Sequence, residues 1–267
     1  MDKEKRKQLF QQAKAWVLAA GEMIRKQINE PLEINIKSNP NDLVTSMDKA
    51  IEKFFVTNIK EYYPDHAILG EEGYGDELTS LSGTVWIIDP IDGTTNFVHQ
   101  KRNFAISIGI YEEGIGEIGL IYDVMKDDLY SAKSGEGAYK NEQRLSHHPV
   151  HIKEAILGLN HHWLCENRLV DEKVMQKLIK TIRGARSYGS AALELAFVAE
   201  GVTDGYLSMR LSPWDIAAGI ILIQEVGGII SNLEGEPLNL LIKQPIVVSN
   251  SHIYQDIMEE FIKKGKK

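Results

Sequence analysis

Trp86-Ile87-Ile88-Asp89-Pro90-Ile91-Asp92-Gly93-Thr94-Thr95-Asn96-Phe97 decides how this chain is read. An apolar, strand-forming run ends in two carboxylates three positions apart, and a glycine and two threonines follow at once. Carboxylate oxygens are hard ligands of the kind that Mg²⁺ selects. Pro90 presets a turn, and Gly93 lets backbone N–H groups come close to an anion. A helix starting near Thr94 would aim its unpaired N–H groups at a phosphate. An Asp-Gly turn by itself is commonplace in α/β proteins. The whole run, strand then acids then glycine then hydroxyls, points instead to a divalent cation held beside a phosphate.

Working outward, the run is one of several strand-like segments: Ala67 to Leu69, Val85 to Ile88, Phe104 to Tyr111, Ile118 to Val124 and Leu129 to Ala132. Glycines at 109, 114, 116 and 119 punctuate the middle ones, as antiparallel hairpins require. Two helices precede them. Residues from about 5 to 30 carry Leu9, Phe10, Ala13, Trp16, Val17, Ala20, Ile24 and Ile28 at helical spacing. Residues 46 to 62 carry Ile51, Phe54, Phe55 and Ile59, and Pro64-Asp65 then stops the helix. Ser38-Asn39-Pro40-Asn41 between them reads as a loop. From Leu157 onward short strands, among them Gly205-Tyr206-Leu207 and Ile246-Val247-Val248, alternate with helices expected near 171–182, 190–200, 215–226 and 251–264. No repeat or low-complexity linker divides the chain. The expectation is one compact α/β domain over 1–267, in two lobes that join near 140–155.

Composition narrows the class. With 267 residues, 43% of them hydrophobic and 25% charged, the chain has ample core and an ordinary soluble balance. A net charge of −8 argues against a nucleic-acid partner, since phosphate backbones need a basic surface. The single cysteine, Cys165, excludes an intrachain disulfide and a thiolate zinc cluster. No apolar run reaches the roughly 18 residues of a membrane span, and no apolar leader follows the charged start, so a soluble cytoplasmic protein is expected. His147-His148-Pro149-Val150-His151 and His161-His162 are spaced too irregularly for a transition-metal site and read as surface histidines, whereas His99, just after the long run, reads as a residue that caps or packs locally rather than a catalytic one.

Three further segments carry acids that suit the same chemistry. Gly70-Glu71-Glu72-Gly73 follows directly on a short strand. Asp48 stands in the first turn of a helix in Leu43-Val44-Thr45-Ser46-Met47-Asp48. Asp215 opens another helix in Pro213-Trp214-Asp215-Ile216-Ala217-Ala218-Gly219. Each has an ordinary explanation as a helix-dipole partner or a solvated turn. Residue chemistry alone leaves Glu71 and Glu72 as equal candidates.

Taken together these segments closely resemble the inositol monophosphatase family of magnesium-dependent, lithium-sensitive phosphatases. The first signature is the run from Trp86 to Phe97 and the second is Trp214 to Gly219; the Gly70-Glu71-Glu72 and Asp42-Leu43-Val44-Thr45 elements stand in the family's order. The resemblance spans roughly residues 10 to 262. It implies a five-layered α-β-α-β-α sandwich of the sugar-phosphatase type. It implies that Glu71, Asp89 and the Ile91 carbonyl hold one Mg²⁺, that Asp89, Asp92 and Asp215 hold a second, and that some members add a third. It selects Glu71 over Glu72. Thr94, held by Asp48, would orient and help deprotonate the attacking water. Ile91, Asp92, Gly93, Thr94, Ala191 and Asp215 would contact substrate, and Lys37 matches a lysine on a loop near the metals. A homodimer and direct in-line attack by water complete the implied picture.

The substrate expected first is inositol-1-phosphate. Animal family members carry an acid shortly before the Trp-Asp signature that binds inositol hydroxyls, whereas Leu207-Ser208-Met209-Arg210-Leu211-Ser212-Pro213 has none. Arg210 could instead meet a second anionic group, which keeps fructose-1,6-bisphosphate and NADP or 3′-phosphonucleotides as alternatives. A regulatory protein that binds RNA or transcription machinery on this fold is the non-enzymatic alternative, against which the intact acids and the negative charge weigh.

Overall fold

The computed structural model describes residues 1–30, 34–36 and 43–267. Lys37 and the loop Ser38-Asn39-Pro40-Asn41 lie outside the described residues. Strands β1 (Ile34–Ile36) and β2 (Leu43–Thr45) form an antiparallel ribbon. The large sheet contains β3 (Ala67–Gly70), β4 (Thr84–Asp92), β5 (Ala105–Glu112), β6 (Ile115–Asp123), β7 (Asp128–Lys133), β8 (Gly137–Lys140) and β9 (Gln143–Arg144), paired in that order. All its pairs are antiparallel except β3 with β4. The second sheet has the order β11 (Gly184–Arg186), β10 (Ile156–Leu159), β12 (Gly205–Leu211), β14 (Gln244–Ser249), β13 (Ile229–Ser231). The chain passes from one sheet to the other between Arg144 and Ile156.

Side-chain alternation along the strands generates the layers. On β4, Trp86 and Ile88 face one way and pack on α1 (Lys3–Gln27) and α2 (Ser46–Tyr62) through Trp16, Ile24, Ile51 and Phe55. Val85 and Ile87 face the other way, onto α5 (Ala191–Glu200) and α6 (Pro213–Glu225). Those two helices are apolar nearly all round because both of their faces are covered. Their far side meets Tyr206, Ile246 and Val248 of the second sheet. The opposite face of that sheet, with Leu157, Leu207 and Val247, packs on α4 (Glu172–Thr181) and α7 (Ser251–Ile257). The result is the five-layer α-β-α-β-α order. The middle layer is tied to the large sheet by polar contacts as well: the buried Tyr111 hydroxyl donates to the Ala217 carbonyl at 2.8 Å, and Ser107 Oγ donates to that of Trp214 at 3.3 Å.

The expected elements are present with shifted ends. The strand that ends in the acids is longer than the apolar run and includes them. The last helix is interrupted by a π-helical turn over Met258–Ile262. His147 is not a plain surface residue: it is half-buried, with Nε2 2.7 Å from the Val198 carbonyl. His161, His162 and His99 are exposed, and so is Cys165.

Candidate active site

In a regular strand Asp89 and Asp92 would point to opposite faces, because residues an odd number apart alternate. The register with β5 changes between them: Asp89 pairs with Ser107 and Asp92 with Ala105, so the β4 side carries one extra residue. Pro90, which has no N–H to give to a ladder, sits inside this bulge. The Ile91 N–H donates to Asp89 Oδ1 at 3.0 Å, and the Ile91 side chain turns to the same core as Ile88. The bulge thereby delivers both carboxylates to the α5/α6 side. Asp215, in the first turn of α6, joins them, and ligand oxygens of Asp89, Asp92 and Asp215 all lie within 4.8 Å of one another.

Burial makes this cluster electrostatically costly. Asp89 is pushed well above the usual carboxylate range, first by desolvation and then by the charges of Glu71, Asp92 and Asp215, with a hydrogen bond to Glu71 adding to the effect. Asp215 is raised well above its ordinary value by burial and by the charge of Asp92. Burial raises Asp92 to about 6 even though Ser190 Oγ and the Ala192 N–H (2.8 Å) both donate to its Oδ2. Converging buried carboxylates with oxygen-only donors fit a hard divalent cation, whose charge would cancel the repulsion.

A second unit stands beside the first. Gly93 has φ +93°, a conformation that favours glycine, and it turns the chain from β4 into α3 (Thr94–Gln100). Thr94 Oγ1 therefore lies 3.2 Å from Asp48 Oδ1 and 3.2 Å from the Ile91 carbonyl. Asp48, fully buried in the first turn of α2, takes the Thr45 N–H (2.9 Å) and the Thr45 hydroxyl on its other oxygen, a reciprocal capping box. Desolvation raises the Asp48 carboxyl; the Thr45 hydrogen bonds oppose the shift and the charge of Glu71 adds to it. Four positions on, the buried Glu52 accepts the N–H groups of Glu72 (2.7 Å) and Tyr74 (2.9 Å), bracing the loop that follows Glu71.

Asp92 and Asp215 also line a cavity of about 290 Å³, whose other walls include Ala191 on α5 and Ser208 and exposed Arg210 on β12. Thus Ala191 and Arg210, named from sequence, border the same space as the acids. Ser190 was missed as a functional residue. It caps α5 and donates to Asp92 across 98 positions of sequence; its serine-before-helix pattern signals the cap, not the partner. Asn160 and Glu194, which also line the cavity, were not singled out, because nothing local marks them.

Against known proteins, the sequence model described as "Inositol monophosphatase family" matches residues 5–265. The inositol-1-monophosphatase of Bacillus subtilis (strain 168) is 56% identical over 257 residues, covering 95% of this chain and 96% of that protein. Among solved structures, SaIMPase-II with inositol monophosphate bound superposes with a TM-score of 0.86 at 42% identity, covering 96% of this chain and 94% of that one. The same protein with 2′AMP bound gives 0.88 at 43% identity, with 96% and 95% covered. An IMPase/NADP phosphatase complexed with Mg²⁺ and phosphate gives 0.88 at 26% identity, covering 96% and 95%.

Proposed function

Because this chain belongs to the inositol monophosphatase family, we propose that it hydrolyses a small phosphate monoester, inositol-1-phosphate first, as a Mg²⁺-dependent and lithium-sensitive cytoplasmic homodimer. The observation that carries this reading is the buried convergence of Asp89, Asp92 and Asp215 beside the Thr94–Asp48 pair. Glu71, Asp89, the Ile91 carbonyl, Asp92 and Asp215 would hold the divalent cation. A cation bound there supplies positive charge against the phosphate dianion and its leaving oxygen and makes water a stronger acid.

The chain's own groups do the rest. Thr94 donates its hydroxyl hydrogen toward Asp48, so the lone pairs of Oγ1 are left to accept a proton from the attacking water. Asp48, raised by burial, is a stronger base than an exposed aspartate and takes the proton that Thr94 passes on. N–H groups of Gly93 and Thr94, at the start of α3, offer donors to the phosphate oxygens. Ser190 and the Ala192 N–H fix Asp92 in one rotamer, which keeps its second oxygen directed into the site.

The test is phosphate release from inositol-1-phosphate, fructose-1,6-bisphosphate and NADP, each with and without Mg²⁺. A Mg²⁺-dependent preference for the inositol ester is the expected result. A preference for a substrate with a second phosphate would shift the reading to Arg210 as an anion contact, and no Mg²⁺-dependent release from any of them would overturn it. Light scattering of the purified protein checks the dimer.

A further inference from the structure

Helix α6 carries Asp215 in its first turn, and its other end borders a second cavity. This one holds about 500 Å³ and lies between the β5–β6 hairpin, the far half of α6 and β13. Its wall is mostly apolar, with Ile115 from the hairpin, Ile220 from α6, Ile230 from β13 and Leu238 from the loop beyond. Among the described residues no charged side chain lines it. The Ser231 and Tyr254 hydroxyls hydrogen-bond each other, which leaves half-buried Ser134 and exposed Gln224 to meet an occupant. Two features join this cavity to the acids. Tyr111 forms part of the wall, and its hydroxyl holds the carbonyl of Ala217, two positions past Asp215, at 2.8 Å. The helix also has no slack against the large sheet. A Cβ at Gly119 would come 2.5 Å from the Ala218 oxygen, and one at Gly109 would come 2.8 Å from the Ala217 carbonyl carbon. Backbone meets backbone there, so α6 answers a push on Ile220 or Tyr111 by moving as a body rather than by bending.

We propose that this cavity is an effector site for an uncharged, largely apolar small molecule, and that a ligand there weakens divalent-cation binding at Asp89, Asp92 and Asp215. The inference rests on the cation reading of those acids and adds a control point to it. Volume and lining match the sites that small ligands use, which are concave, mostly apolar and furnished with a few polar groups. A phosphorylated ligand finds no cation on this wall, so the substrate itself is excluded from it. A ring wedged between the hairpin and α6 parts Ile220 from Ile115 and strains the bond from Tyr111 to Ala217. Asp215 then withdraws from Asp89 and Asp92, whose ligand oxygens lie within 4.8 Å of its own. The two placements of α6 differ in affinity for cation and for ligand alike, which makes the coupling reciprocal.

The probe is N-phenyl-1-naphthylamine, an uncharged aromatic amine that fluoresces in apolar surroundings, titrated into the full-length protein with and without Mg²⁺. Calorimetry measures Mg²⁺ affinity with and without the probe, so that no step depends on turnover. The probe should bind saturably and weaken Mg²⁺ binding about fivefold or more, and Mg²⁺ should weaken probe binding by the same factor. Leu238→Trp fills the cavity from its loop and should abolish probe binding and the effect on Mg²⁺ together. Ser134→Trp should do the same from the turn between β7 and β8. Tyr111→Phe keeps the ring in the wall but drops its hold on Ala217, so the probe should still bind while the coupling factor falls toward one. Saturable binding with unchanged Mg²⁺ affinity would overturn the proposal, as would no saturable binding, or binding that both tryptophan variants retain. If Mg²⁺ itself does not bind the wild-type protein, the cation reading of the acids falls first and the proposal falls with it.

Discussion

Asp89 is held in a position that opposes its own ionisation, by burial and by three neighbouring carboxylates. Replacing it with asparagine should therefore do two opposite things. Asp89→Asn should lower kcat/KM by about 100-fold or more by weakening cation binding, and should raise the Tm of the metal-free protein by relieving repulsion. Near-full activity at saturating Mg²⁺ would sink the assignment. For Thr94→Val, kcat should fall about 100-fold or more with KM little changed, since the proton acceptor for water is lost while the fold around Asp48 keeps its Thr45 hydrogen bonds. A kcat within a few fold of wild type would remove Thr94 from the proton path. At this scale the acids on β4 and α6 were legible, because a strand ending in carboxylates and a helix opening on one are local patterns. The bulge that turns Asp89 and Asp92 to one side could be anticipated only from Pro90. Ser190 and Glu194 were not legible: their partners stand far off in sequence or on another layer.

Helix α2 does more at the element scale than fill the outer layer. Asp48 and Glu52 are one turn apart and so share a face, from which one meets Thr94 and the other the loop after Glu71. Moving this helix would disturb both. Glu52→Gln weakens the grip on the Glu72 and Tyr74 N–H groups without changing volume, and Mg²⁺ affinity measured by calorimetry should drop several-fold while far-UV circular dichroism is unchanged. Unaltered affinity would mean that the loop is held without Glu52. From its periodicity helix α2 could be read to the residue and α1 to within three residues at each end, since their apolar stripes are long. Strands β8, β9, β11 and β13 were not read. At two to four residues each they carry too few alternations to register, and their pairing partners decide them.

For the whole molecule, the buried acids couple stability to pH and to metal. Asp92 goes from an ordinary 3.8 to about 6, and Glu194 from 4.5 to about 7. In both cases burial is the first cause, so the native state binds protons more tightly than the unfolded chain. Their stabilising contribution is full below about pH 4 and is lost as pH rises through 6 to 7. The metal-free protein should accordingly melt several degrees lower at pH 8 than at pH 5, as far as these groups decide it, and Mg²⁺ should recover most of the difference. A flat Tm across that range in EDTA would mean the acids are solvated in solution. The layer order was legible through the resemblance alone. Periodicity identifies elements, yet the order β11-β10-β12-β14-β13 is built from pairings between distant segments that no local pattern encodes.

The sheets divide the labour. The groups proposed to run the reaction hang from the large sheet and from helices seated on it, whereas Ser208 and Arg210, which line the same cavity, come from β12 of the second sheet. Substitutions on β12 can then retune which alcohol is accepted while the hydrolytic machinery is inherited intact. Such a scaffold is built for changing its diet without relearning how to chew.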